Sequence, residues 1–449
     1  METESPARDE ARAPIAILRP IAEVRRGEVL PLFASLLWIF FALNAYYIIK
    51  PIRSTVLQTQ IGVDNKPIAL LATTAFVGIF VFVYGRIVER VARTKLIVAT
   101  FIIFVICLSA FAVLLPLGGT VLGYVFYVWV STFNLMIVSQ FWALAADVWT
   151  KEEGARLFGF IGVGGVLGSI SGTLIVRMTK QLNAYEKLFI SVGLLVACTL
   201  LALYILRFAA SKAKAQKKET VEASASPPDA PAGNPAKLVV GSAYLGAVAL
   251  MMLVLNIVNS NNEWIMDKVL SGEGLDEAAI TAWYADYYLY QNVITFLIQL
   301  FVTSRVQRRF GAKVALLFEP TIGIVGGLAF IAAPVLSVIR WHKILENSAD
   351  YSIQSNTREL LYLPVTRLEK YSAKNFNDTF IVRGGDALAA GSIYLATSVL
   401  MPAFGADGLK VLIGANVVLG VVWIFIALRI GRMHAERMRA TGTRPPVAA

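Results

Sequence analysis

"ADYSIQSNTRELLYLPV" (349–365) is the stretch whose reading decides the fold. It lies among apolar runs, yet it carries Asp350, Arg358 and Glu359, with Arg340, Lys343 and Glu346 just upstream. An Asp, Arg or Lys at mid-bilayer costs roughly 2.5–3.5 kcal/mol, so the charges of 333–366 facing lipid would cost on the order of 15 kcal/mol. Arg340, Lys343, Asn347, Asp350, Gln354 and Arg358 recur at intervals of three or four, which puts them on one helical face. Ile344, Leu345, Tyr351 and Ile353 lie between them. Either this helix spans the membrane with its polar face toward water or a ligand, or it lies along the surface as an amphipathic helix. The surface reading leaves an odd number of spans and strands the basic tail 432–444 on the wrong side, so a spanning helix is expected.

Outward from this stretch, runs of spanning length recur at roughly 28–50, 67–85, 96–116, 120–147, 157–177, 187–207, 239–262, 281–303, 314–331, 333–366, 376–401 and 409–430. Of 449 residues 57% are hydrophobic and 16% charged, against about 25% charged in soluble domains. The expected class is therefore an all-α membrane protein with 12 transmembrane helices. The formal charge of +11 could suggest nucleic acid. The Lys and Arg residues concentrate, however, in the segments that are internal if the N-terminus is cytoplasmic. The basicity then reports topology: an inner-membrane, multi-pass chain with both termini cytoplasmic and no nucleic-acid partner. Residues 1–27 show no cleavable pattern, so the first span is expected to be an anchor.

Cys107 and Cys198 sit in apolar spans and read as packing residues. His342 and His434 are too few for a metal centre. With no phosphate-cradling loop, zinc spacing or nucleophile elbow, neither an enzyme nor a cofactor is expected. The glycines of "GVGGVLG" (162–168) sit inside an apolar run and read as helix packing.

The chain divides into a cytoplasmic tail (1–27), a six-helix bundle (28–208), a linker (209–236), a second bundle (237–430) and a cytoplasmic tail (431–449). The linker is charged and rich in Ala, Pro and Ser. The halves resemble each other: "NAYYIIK" (44–50) pairs with "NEWIMDK" (262–268), and "ERVARTK" (89–95) with "QRRFGAK" (307–313), both at an offset of 218. "FIGVGG" (160–165) pairs with "FIVRGG" (380–385) at 220. Two parallel six-helix pseudo-repeats are the architecture of the major facilitator fold, a secondary-transporter fold in which substrate lies near the midplane and access alternates. Glu89, Arg90, Arg93 and Arg308 fall where a charged gating latch is expected, although a plain positive-inside loop explains them equally well.

Substrate-binding residues are expected where polar side chains interrupt the spans. The first span ends in Asn44, Tyr46, Tyr47, Lys50 and Arg53; the fourth offers Asn134, Ser139 and Gln140. The seventh carries Asn256, Asn259, Glu263 and Asp267, and the eighth Tyr284, Tyr288, Gln291, Thr295 and Gln299. The tenth adds the ridge described above, and the eleventh adds Arg383 and Asp386. Lys268 alone reads as a cation snorkelling to the membrane edge. Cations with tyrosines suit a small anionic ligand bearing a flat ring, since Arg forks onto phosphate or carboxylate and Tyr stacks. That chemistry admits nucleotides, organic phosphates and dicarboxylates alike.

"DYSIQSNTRELLYLPV" followed by "KYSAKNFNDTFIVRGGDAL" resembles the signature of the non-mitochondrial ATP/ADP translocases of plastids and intracellular bacteria, through Tyr351, Ser352, Arg358, Glu359, Tyr362, Leu363, Pro364, Lys374, Asp378, Gly384 and Gly385. "FWALAADVWTKEEGARLFGFIGVGG" (141–165), "NAYYIIKPIRSTVL" (44–57) and "NEWIMDK" are similar to further family blocks. The resemblance implies a nucleotide antiporter, with Lys50, Arg53, Glu263, Arg358, Glu359 and Lys374 as essential charges. Asp350 departs from the family pattern, which often has Lys there, and this lowers the positive charge available to a triphosphate. The alternatives are a proton-coupled facilitator for another anionic or phosphorylated metabolite, working through Glu263, Asp267 or Asp350, and a membrane scaffold without transport. A monomer is expected.

Overall fold

The computed structural model describes residues 24–88, 90–217 and 235–440, all helix and short connection apart from one isolated bridge residue. Among them nine helices are long and apolar enough to cross a membrane, and the pair Glu277–Ala315 and Phe318–Ala332, bent by 70°, adds a tenth if taken as one span. This differs from the expected twelve for two physical reasons. The helical run 336–361 carries the charged ridge and so fails any test of apolarity. The bent pair breaks between Ala315 and Phe318, and its first member is kinked as well at Gly311, whose φ of +75° sits in the left-handed region that a side chain disfavours.

We number the principal helical runs in chain order. They are α1 (Val29–Val56), α2 (Lys66–Val88), α3 (Arg93–Leu114), α4 (Thr120–Val148), α5 (Lys151–Met178) and α6 (Glu186–Lys217). Then come α7 (Ala243–Ser271), α8 (Glu277–Ile298), α9 (Phe318–Ala332), α10 (336–361), α11 (367–404) and α12 (Asp407–Ala440). Short π turns interrupt the later ones: Gln299–Thr303 after α8, Asp350–Gln354 within α10, and Asn377–Ile381 and Ala396–Leu400 within α11.

The chain falls into two compact units. The first comprises Met1–Gln60, Phe76–Ser226 and Asp276–Leu289. Its core is aromatic: Trp38 stacks on Phe141 with centroids 5.1 Å apart, and Phe104 meets Phe133 edge-on at 4.9 Å. Its tightest joint is α1 on α5. A Cβ on Gly164, Gly168 or Gly172 would stand 2.6, 2.2 or 2.5 Å from the carbonyl oxygens of Leu36, Phe40 and Asn44. The glycine stripe therefore lets two backbones touch along matching four-residue ladders, as small-residue packing requires.

The second unit comprises Ile61–Ala75, Pro227–Leu275 and Tyr290–Ala449. Tyr244, Met251, Leu255, Leu316 and Trp423 sit in its core. In both units large apolar side chains such as Ile79, Phe82, Ile106, Val325 and Phe425 point outward. A water-soluble protein cannot present so much apolar surface; a bilayer covers it.

Candidate functional site

In α10 the usual amphipathic arrangement is inverted. Lys343, Glu346, Asn347, Asp350 and Gln354 are buried, while Trp341, Leu345 and Tyr351 are exposed. On the outer side an apolar groove of about 490 Å³ runs between α9 and α10, lined by Val325, Ala329, Val338, Trp341 and Leu345 among others. The ionic ridge read from the spacing thus faces protein and not lipid. Its burial is tolerable only because its members are paired, since an unpaired buried charge is costly.

Within the second unit the pairing is extensive. Lys343, fully buried, is 2.8 Å from Glu346 and also donates to Asn259. Glu346 accepts from Asn262 at 2.9 Å, and Asn262, Asn416, Asn261 and Ser392 continue the chain of hydrogen bonds. Gln291 accepts from Asn347 at 3.2 Å through its side chain and from Ser348 through its carbonyl. Arg340 lies 5.6 Å from the Tyr290 ring centroid, and the Gln354 amide reaches the Met251 sulfur. Arg358 meets Asp350 at 3.2 Å, Lys374 meets both oxygens of Glu359 at 2.6 Å, and Arg383 meets Asp386 at 2.9 Å. Ser260 also donates to Asp386.

Two pairs in this unit involve residues that the sequence pattern did not single out. Lys66, at the start of α2 and fully buried, is 2.6 Å from Asp267 and 3.7 Å from Glu263. Beside it Lys268 donates to both oxygens of Asp64 at 2.7 Å, so this lysine is salt-bridged where snorkelling alone was expected. The Trp264 indole donates to the Val63 carbonyl at 3.1 Å and fixes the loop to α7. A third unforeseen residue is Glu319, buried at the start of α9.

In the first unit the expected cations rest on rings. The Lys50 ammonium lies 4.2 Å from the Tyr288 centroid and 5.3 Å from that of Tyr47; Arg53 stacks over Tyr127 at 4.8 Å and reaches Ser131. Tyr288 is hydrogen-bonded to Ser54 at 3.1 Å, and Thr55 to Thr281 at 2.8 Å, so α8 is sewn to α1 by hydroxyls. Asn44 donates to Ser171 at 2.7 Å inside the α1–α5 joint. Gln140 donates to Tyr84.

The expected latch is only partly visible. Glu89 and the Arg93 side chain lie outside the described residues, Arg90 is exposed, and Arg308 donates to the Ser304 carbonyl of its own helix at 3.3 Å. Among the described residues no group of three or more His, Cys, Asp or Glu side chains could hold a metal ion.

The chain is also similar to known proteins. Residues 2–173 match the Major Facilitator Superfamily, and residues 120–338 match the family described as TLC ATP/ADP transporter. ADP,ATP carrier protein 1 of Chlamydia trachomatis is 21% identical over an alignment covering 93% of this chain and 90% of that protein. Among solved structures, a bacterial homolog of the human lysosomal transporter Spinster superposes with a TM-score of 0.62 at 15% identity, covering 91% of this chain and 98% of that one. An auto-inhibited POT family peptide transporter gives 0.63 at 13%, covering 91% and 97%. The match to the TLC family ends before the 349–386 block in which the sequence resemblance is densest, and the Chlamydia alignment extends over nearly the whole chain. The chain is thus similar to the TLC ATP/ADP transporters over part of its length, and its fold is like that of major-facilitator-type transporters.

Proposed function

We propose that this protein is a secondary transporter that exchanges nucleotides of the ATP/ADP type across the inner membrane by alternating access. The observation that carries the reading is the inward-turned ionic ridge of α10. A span that only anchors has no use for paired charges at this depth, and charges inside a membrane mark transport paths by default. The Lys50 and Arg53 cations on tyrosine rings add what a phosphorylated ligand with a flat base requires.

The reading includes twelve spans in two six-helix repeats, with α8, α9 and α10 each counted as a crossing. Three features support the repeat. Ile61–Ala75, shifted by the 218-residue offset read from the sequence, overlaps Asp276–Leu289, and each segment packs in the unit formed mainly by the other half. α5 opens with a capping box at Thr150 and Glu153, and α11 with the same device at Thr366 and Glu369. The loop between α2 and α3 matches the one following α8. Both termini are then cytoplasmic and the chain works as a monomer in lipid, with the binding residues Asn44 through Asp386 named above.

A second reading has one observation in its favour. Asp350 engages Arg358 at 3.2 Å, so the guanidinium already has an anionic partner. That favours a proton-coupled facilitator for a smaller anionic or phosphorylated metabolite. Proteoliposomes separate the two. Labelled ATP that enters only when ADP is inside supports exchange. Uptake that follows a pH gradient and ignores internal nucleotide supports the alternative.

A further inference from the structure

We propose that Glu319 is a proton-binding carboxyl, protonated in this conformation, whose proton moves with the anionic cargo; the cargo part rests on the transport reading above. Glu319 opens α9 immediately before Pro320, is 1% exposed, and its Oε2 has no hydrogen-bond partner. The charged groups it faces are Asp350, Arg358, Glu346 and Lys343, all from α10. Lys343 is closed on Glu346 and Arg358 on Asp350. Three carboxyls therefore share two cations, Lys343 buried and Arg358 half-buried, and Glu319 is the one left over.

Among the described residues, the other neighbouring elements do not bring a cation to it. α12 brings Ile413, Val417 and Gly420 to its crossing with α9. The π turn Gln299–Thr303 has no charged side chain, and its Gln299 is bonded to Asn356. Arg305 and Arg308, further along, donate to carbonyls of their own helical run and are exposed. Asp378, on the π turn of α11, faces Arg358 but is exposed, as is Glu359 with its Lys374 partner. A buried carboxylate without a counter-charge takes a proton rather than remain ionised. Asp350 opens the π turn Asp350–Gln354, a helix irregularity that recurs at working sites.

Proton occupancy then decides which carboxylate holds Arg358. With the proton on Glu319, Arg358 belongs to Asp350, as seen here. With it off, a second negative charge competes for the same guanidinium and repels an incoming anion. The anion therefore binds best to the protonated form, and proton and anion travel together. A proton also offsets part of the extra negative charge that a further phosphate group carries.

Dicyclohexylcarbodiimide attacks protonated carboxyls, so the full chain in proteoliposomes is treated across a pH series and adducts are mapped by mass spectrometry. The expected result is an adduct on Glu319 that declines as pH rises and is missing from E319Q. No adduct there at any pH, whether or not another carboxyl reacts, overturns the proton assignment. In the second arm an inward proton gradient stimulates labelled ATP uptake by the wild type, and E319Q loses the stimulation. Equal stimulation of both overturns the coupling. Wild-type vesicles that exchange ATP for ADP without any response to the gradient overturn it as well, while leaving the transport reading intact. Vesicles that carry no nucleotide sink the cargo assignment, and the carbodiimide arm still judges Glu319. If E319Q transports nothing, that arm on the wild type decides.

Discussion

The two units differ in how they hold several of their cations, although each also contains the other's device: Arg156 meets Glu28 at 2.8 Å in the first, and Arg340 lies over Tyr290 in the second. In the second, Lys66, Lys343, Arg358, Lys374 and Arg383 each lie within 3.2 Å of a carboxylate. In the first, Lys50 and Arg53 rest on the faces of Tyr288 and Tyr127. A ring attracts a cation through its quadrupole without cancelling its charge, for about 0.5–2 kcal/mol. A carboxylate cancels the charge and must be displaced before an anion can use it. In the second unit charge becomes available to an anion only when such partners exchange; in the first, the ring contact is a hold on the cation that needs no such exchange.

The largest effect expected from breaking this contrast is at Arg358. Arg358→Ala abolishes transport, because Asp350 and Glu319 lose the cation they face together. Breaking a buried pair from one side costs about 3–5 kcal/mol. Thermal unfolding in detergent should therefore fall in R358A and recover in R358A/D350N, while transport stays absent from both. An active R358A protein would remove Arg358 from the pathway.

Lys66 tests whether a carboxylate-matched cation serves the fold alone. Lys66→Met strands Asp267 in a fully buried position and should cost a similar ~3–5 kcal/mol. Replacing both partners by apolar residues of similar size, K66M/D267L, is expected to be neutral or stabilising. Hydrogen exchange of the segment around 61–66 reads the local loss. A K66M protein whose unfolding is unchanged would mean that the pair contributes nothing.

How these residues showed, or failed to show, in the sequence follows from how far the signal reaches. The α10 ridge was legible because its members are three and four apart on one helix, so local periodicity reports their common face. The Lys343–Glu346 and Arg383–Asp386 pairs are legible for the same reason. Lys66 and Asp267 are 201 positions apart, and Glu319 lies well before its α10 neighbours. No spacing rule joins them, and a lone charge at a helix start is as easily taken for a membrane-edge residue. The Lys268–Asp64 pair was equally out of reach, since the partners stand 204 residues apart. The π turns also left no trace, because one residue added to a turn does not disturb an apolar run. The glycines of 162–168 were legible as packing, but the continuation of the stripe to Gly172 and its partner helix were not.

That stripe supplies the next prediction, which asks whether the first unit relies on backbone contact where the second relies on polar pairing. Gly168→Val puts a side chain where even a Cβ would stand 2.2 Å from the Phe40 carbonyl oxygen. Overpacking of this kind costs typically about 1–3 kcal/mol. The loss should appear in protease resistance of the first six helices, with the second unit's protection unchanged. Gly159, where an added Cβ meets nothing within 4 Å, is the control, and Gly159→Ala should leave stability unaltered.

The smallest effect isolates the ring itself. Tyr288→Phe removes the hydrogen bond to Ser54, worth about 0.5–1.5 kcal/mol, but keeps the face on which Lys50 rests. Tyr288→Leu removes both. If the ring itself holds Lys50, Y288F should transport nearly as the wild type does, and Y288L should bind nucleotide more weakly. The weakening should resemble that of Lys50→Met in the same binding assay. Equal losses in Y288F and Y288L would assign the role to the hydroxyl, and the first unit's cations would then be held by hydrogen bonding, as the polar network of the second unit is.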